Sequence, residues 1–269
     1  VDESAFEVIL TGRFGLEQVV VTWRPDARRR PDPAVDALIA TEWARHAAEA
    51  TPGRLLFAGP LCRLAAWAVA GATLRLTLGP TDYREYLGTN VGGLAAIRAR
   101  HPSDWRAYLA DPLGVCAAVV SADGWLLVMR RSQRLVRYPG AYHVVGGHPT
   151  PAHDDGAGGI SPFLALQEEI AEEIGVVPAE IAGLTCLGLA RDRATAKPDL
   201  TFEARLALTR AAVEARLAAL ADRPEDSGWL WLNDEPAAIH AFLTRHAGRV
   251  APAGAACLAI YARARRPGG

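Results

Sequence analysis

Residues 163–176 read FLALQEEIAEEIGV and place Glu168, Glu169, Glu172 and Glu173 within six consecutive positions. Carboxylates three or four residues apart on a helix repel one another by roughly 0.2–0.5 kcal/mol per exposed pair, so the run needs compensation. Water supplies it if the face is solvated, as charge runs commonly are. A divalent cation supplies it if the carboxylates are ligands, because Mg2+ takes hard oxygen donors. The second arrangement carries chemistry, since a cation there neutralises phosphate charge and lowers the pKa of a water molecule. Glu169 and Glu173 are four apart and Glu172 is three from Glu169, so all three can converge on one cluster. Glu168 is turned about 100° away from Glu169 around the axis.

The flanks define the helix that must present them. Ser161 suits an N-cap, Pro162 the first helical position and Gly175 the C-terminal stop. Phe163, Leu166, Ile170 and Ile174 form an apolar stripe at spacings of three and four, with the glutamates mostly off it. Ahead of this helix, VCAAVVSADGWLLVMRRS reads as two strands joined through Asp123-Gly124, and YHVV leads into Gly146-Gly147. Behind it, residues 184–191, 201–208 and 227–232 read as strands, with helices near 210–221 and at the C-terminus, ending near Arg265. Trp229 and Trp231 alternate with leucine, which puts both on one face of their strand, in the core.

Residues 6–10, 19–23, 61–69 and 72–78 also predict strands, with a helix from Pro33. The rhythm changes at DPLG, residues 111–114, which sets a domain boundary there: a smaller α+β domain over 1–110 and a second domain over 111–269. Strands and helices mix without regular βαβ alternation, so the fold class is α/β of the α/β/α sandwich kind with a mixed sheet, not a doubly wound parallel sheet.

Composition narrows the partners. The chain has 269 residues, half of them apolar, and a formal charge of -1, which gives no global reason to expect nucleic acid or an anionic membrane. No apolar run approaches a membrane span, and VDESAFEVIL lacks the pattern of a signal peptide, so the expected address is cytoplasmic. Cys62, Cys116, Cys186 and Cys257 lie far apart without a CxxC pair and read as buried hydrophobes in a reducing compartment. The arginine run at 28–30 reads as a solvated loop or as a surface for an acidic partner.

The order strand, Gly146-Gly147, loop, EEIAEEIGV resembles the Nudix box, G-x5-E-x7-R-E-U-x-E-E-x-G-U with U a bulky aliphatic. Gly147 matches the opening glycine, Glu169 and Ile170 the E-U pair, Glu172 and Glu173 the double glutamate, and Gly175 and Val176 the end. Two departures stand out. Glu168 holds the arginine position, and the run from Gly147 is about seven residues too long, leaving the x5-E glutamate without an equivalent. A strict motif search would miss such a box. YREYLGTN, YLADPLGV, GGHP, LQEE and LGLAR are similar, in the same order, to segments of the vertebrate branch that hydrolyses UDP-glucose and UDP-galactose, which also carries a loop insertion and lacks the box arginine. The resemblance spans residues 80–265.

It implies a Mg2+-dependent hydrolase of phosphoric anhydrides, with Mn2+ as an alternative cation and a nucleotide-sugar as substrate. Glu169, Glu172, Glu173 and the backbone at Gly146 are the expected metal ligands, with the three glutamates carrying catalysis. Glu225, ahead of SGWLWL, is expected as general base or metal support, with Asp226 as fallback. Arg191 and Lys197 are expected on the substrate phosphates, and Tyr83, Arg84, Thr89 and Asn90 on the base or sugar. His148 and His153 receive no role. Two rivals stay open: the same chemistry on ADP-ribose, a dinucleotide or coenzyme A, and a non-catalytic module that binds nucleotide.

Overall fold

The computed structural model describes residues 4–49, 56, 58–154, 156, 159–220 and 226–265. Its strands are β1 (Phe6–Phe14), β2 (Val19–Trp23), β3 (Pro60–Ala70), β4 (Thr73–Asp82), β5 (Gly114–Val120), β6 (Trp125–Arg131), β7 (Tyr142–His143), β8 (Val145–Gly147), β9 (Ile181–Asp192), β10 (Pro198–Leu206) and β11 (Asp226–Asn233). The helices are α1 (Pro33–Ala48), α2 (Tyr83–Tyr86), α3 (Leu94–Arg100), α4 (Pro162–Ile174), α5 (Arg210–Ala219), α6 (Pro236–Arg245) and α7 (Pro252–Ala264).

The large sheet runs β1-β9-β10-β5-β6-β11, with β8 also on β5 and β7 also on β6. β10 and β5 are parallel, while β1–β9, β9–β10, β5–β6 and β6–β11 are antiparallel. This is the mixed sheet expected of an α/β/α sandwich. Side chains alternate across it. On β6, Leu127 and Met129 join a core with Phe163, Leu166, Ile170 and Ile174 of α4, while Leu126 and Val128 join Cys257, Leu258 and Tyr261 of α7 on the other face. Each such buried aliphatic contributes about 1.5–3 kcal/mol, which fixes the sheet between the two helical layers. Trp229 and Trp231 pack on the α4 side, half-buried.

A second sheet, β2-β4-β3, lies ahead of this region. Leu74, Leu76 and Leu78 of β4 belong to the same core as the α4 stripe, so the small sheet shares the apolar layer that seats α4. β1 pairs with β9 instead of with the small sheet, so residues 6–14 contribute a strand to the sheet that residues 111–269 otherwise build. All four cysteines are buried as free thiols. Among the described residues, no helix is long and apolar enough to cross a membrane.

Candidate active site

α4 is closed at both ends by local chemistry. The Ser161 hydroxyl accepts a hydrogen bond from the Leu164 N–H, Pro162 starts the helix, and Gly175 ends it at φ 69°, a left-handed conformation that favours glycine. Because the stripe from Phe163 to Ile174 is buried, helical rotation fixes where each glutamate points. At about 100° per residue, Glu173 lies nearest the stripe, then Glu169, while Glu168 and Glu172 lie on the far side. Burial follows that order: Glu173 and Glu169 are half-buried, whereas Glu172 and Glu168 are exposed.

Glu169 is the best positioned of the four. β8 runs antiparallel to β5, with Gly146 opposite Cys116, and packs against α4. A Cβ added at Gly147 would lie 1.6 Å from Glu169 Oε1, so the carboxylate occupies the space that a side chain at 147 would take. Glycine at this position is a requirement of close approach.

Glu169 and Glu172 line a groove of about 530 Å³ together with Tyr83, Arg131, Arg137 and His148. Those last four also line an adjoining cavity of about 140 Å³, where Gly146, Gly147, Tyr138 and Lys197 join them. The two spaces share those four residues and together bring carboxylates and cations to one site. Lys197 is paired with the buried Asp199, whose carboxyl burial pushes above its ordinary range although Lys197 opposes the shift. Tyr138 donates to Asp192 Oδ2 at 2.6 Å, and burial with this carboxylate pushes its phenol up. Burial holds His143 and His148 well below the usual histidine value, so both rings are neutral near pH 7. His148 Nε2 and His143 Nδ1 are buried without a hydrogen-bond partner among the described residues. Both residues line the smaller cavity, where a ligand can supply the missing partners.

The expected site residues thus separate. Glu169, Glu172, Gly146, Lys197 and Tyr83 are brought together. Glu173 sits on the same side of α4 but lines neither space. Glu225 lies outside the described residues. Thr89 and Asn90 are fully buried in a π-helical turn, Leu87–Val91. There the Thr89 hydroxyl donates to Glu85 O and accepts from the Ala110 N–H, while the Asn90 amide donates to Asp111 Oδ1 and Thr195 O, each at 2.9 Å. These bonds tie the turn to the chain around residue 110 and leave the two side chains away from the groove. Arg84 is exposed and lines neither space. Arg191 lines a different cavity, since strand alternation gives Asp192 to the groove side and turns Arg191 the other way. Arg131, Arg137 and Tyr138 carried no expected role. Arg131 follows Leu127 and Met129 at period two, a signal that places it on the α4 face.

Glu168 has a partner of its own. Its Oε2 is 2.5 Å from His153 Nε2, and His153 Nδ1 accepts from the Thr150 N–H at 2.9 Å. The residue in the box-arginine position therefore tethers the lengthened loop to α4.

Among the described residues, no three His, Cys, Asp or Glu side chains form a ready ligand cluster. Mg2+ does not require one, because it is commonly held by one or two carboxylates and completed by substrate phosphate and water. Glu169 wedged over Gly147, with Glu172 on the same groove, provides that kind of hard-oxygen donor set. The site fits a divalent cation.

No family model matches the chain. Uridine diphosphate glucose pyrophosphatase NUDT22 from Homo sapiens is 34% identical over 206 residues, covering 69% of this chain and 67% of that protein. Nudix hydrolase 9 from Arabidopsis thaliana is 26% identical over 238 residues, covering 74% and 73% respectively. Among solved structures, DR0079 from Deinococcus radiodurans aligns at 22% identity with a TM-score of 0.40, over 57% of this chain and 83% of that one, too loose a match to add weight. The curated relatives, on a chain where the box residues Glu169 and Glu172 line the groove and Gly147 the adjoining cavity, place it: the chain belongs to the Nudix hydrolase family.

Proposed function

We propose that this Nudix hydrolase cleaves the pyrophosphate of UDP-sugars, turning UDP-glucose or UDP-galactose and water into UMP and the sugar 1-phosphate. A water oxygen bonds one phosphorus while the bridging oxygen leaves with the other phosphate. The carrying observation is that Glu169 and Glu172 line one groove with Arg131 and Arg137, and that the adjoining cavity adds Lys197, charges of both signs suited to a cation and a diphosphate side by side. The substrate class rests on the names of the mammalian relatives.

Glu169, Glu172, Glu173 and the Gly146 carbonyl would hold the metal. Mg2+ or Mn2+, when bound, neutralises phosphate charge and lowers the pKa of the attacking water. Arg131 and Arg137 offer bidentate forks to phosphate and Lys197 a point charge. Tyr83 presents an aromatic face to the uracil or sugar. Because Tyr83 comes from the first 110 residues, that segment would take part in choosing the substrate, with residues 111–269 forming the Nudix hydrolase domain. Glu225 enters as general base on the resemblance alone.

The test is product release from UDP-glucose, UDP-galactose, ADP-ribose, NADH and coenzyme A, in Mg2+ and in EDTA, resolved by ion-pair chromatography. UMP from the UDP-sugars only, and only with metal, is the expected result. Faster cleavage of ADP-ribose than of UDP-glucose overturns the substrate class. Tight UDP-sugar binding without turnover under any metal overturns catalysis.

A further inference from the structure

Away from the groove, and sharing with it no lining residue among the described ones, lies a second cavity of about 940 Å³. Arg28, Arg29, Arg30, Arg63, Arg106 and Arg191 line it, against the carboxylates of Glu7, Asp26 and Asp111. Several of these charges are already spent. Arg29 pairs with Asp36 and Glu85, Arg30 with Asp104, and Asp26 with Arg24. That leaves Arg28, Arg63, Arg106 and Arg191, none with a carboxylate partner among the described residues, facing Glu7 and Asp111. Asp111 is buried, already accepts from the Asn90 amide, and is pushed above its ordinary range by burial despite nearby arginines.

Two of the four guanidinium groups are held in place at a cost. Arg63 is only 7% exposed, and its Nε and Nη2 donate to Leu109 O at 3.0 Å and Arg106 O at 3.4 Å. Arg191 Nε is buried without an acceptor among the described residues. Burial also pushes the Arg191 guanidinium below its ordinary value, with Asp111 opposing the shift. A buried cationic donor left unpaired is expensive in a folded protein, and an acceptor that enters from solvent removes the expense. Phosphate oxygens match planar guanidinium forks better than any neutral ligand does. The four groups come from separate elements: the 24–32 loop, β3, the Trp105–Tyr108 turn and β9. They surround the space and do not form a surface stripe. Trp67, 39% exposed, adds an aromatic face.

We infer that this arginine-lined cavity is a binding site for a diphosphate-bearing anion, separate from the hydrolytic groove. The anion is either inorganic pyrophosphate or the diphosphate of a nucleotide. The inference does not depend on the substrate of the groove.

Calorimetric titration with inorganic pyrophosphate and with UDP, both in EDTA so that no cation draws phosphate to α4, tests it. One saturable site is expected. Arg191→Gln should weaken it at least tenfold. Arg28→Gln with Arg106→Gln should do the same with an unchanged melting curve, because both side chains are exposed; this pair decides the matter if Arg191→Gln fails to fold. Arg137→Gln, in the groove, should leave the affinity unaltered. Tighter binding of UDP than of pyrophosphate by tenfold or more assigns a nucleotide seated on Trp67, and equal affinities assign the diphosphate alone. The inference is overturned if neither probe binds at millimolar concentration. It is also overturned if Arg137→Gln abolishes binding while the arginine-cavity variants retain it.

Discussion

Gly147→Ala isolates the Glu169 carboxylate without touching it. The backbone at 147 is not in the left-handed region, so alanine is conformationally allowed there, and removing a glycine stabilises a compatible site by about 0.4–1 kcal/mol. The new Cβ would stand 1.6 Å from Glu169 Oε1, whereas ordinary van der Waals contact begins at 3.4 Å, so the carboxylate must retreat by about 1.8 Å. The obstacle is the far end of a flexible side chain, and the fold absorbs it. Catalysis does not, since a misplacement of about 1 Å at a reacting centre can cost about a hundredfold, or roughly 2.7 kcal/mol of barrier. The expected result is UMP release from UDP-glucose reduced about a hundredfold in kcat/KM, with a melting temperature at or above that of the parent. Glu169→Asp in the same protein shortens the side chain by one methylene and should recover part of the loss. Full activity in a well-folded Gly147→Ala protein would refute the reasoning, because Glu169 would then have no need of its place over β8. So would Glu169→Asp making the double variant slower than Gly147→Ala alone.

Glu173→Gln should remove most turnover while melting cooperatively near the parent temperature, and joint loss of activity and melting would mark a structural residue instead. Asn90→Ala should destabilise the protein by about 1–3 kcal/mol, because it strips the amide donor from buried Asp111, yet leave kcat of the folded fraction unchanged; thermal melting with activity per folded molecule reads both. The Asp32 carboxylate accepts from the Arg100 guanidinium at 2.9 Å and also from His101 and the Ala34 N–H, which hold it down to about 2 from 3.8. Its folded value is depressed, so the stability it contributes is complete above pH 3.8 and is lost as pH falls through 2. The gap between parent and Asp32→Asn in chemical denaturation should therefore be constant from pH 7 to 5 and close towards pH 2.

α4 was legible because everything that defines it is local: a serine and proline at one end, a glycine at the other, and a stripe whose rotation assigns each glutamate. The mixed sheet was legible from the lack of βαβ alternation. What sequence did not disclose are pairings between distant segments. TDYREYLGTN carries the polar and aromatic groups of a ligand patch, but only its fold back onto Ala110, Asp111 and Thr195 shows that Thr89 and Asn90 spend their hydrogen bonds internally. Alternation along β9 separates Arg191 from Asp192, but which of the two meets the groove depends on the packing of both faces of the sheet. Likewise, nothing within residues 6–14 says that their partner is β9.

That pairing sets a schedule on the ribosome. Ile181 follows Phe14 by roughly 170 residues, which at about 5–20 residues per second is a wait of about 8–34 s between β1 and its partner strand. During that interval the nascent β1 has no mate for its hydrogen bonds, and the small sheet can assemble ahead of it. β1 therefore joins the large sheet only after β9 has left the exit tunnel, and an arrest of translation before that point leaves an open strand for another chain to capture.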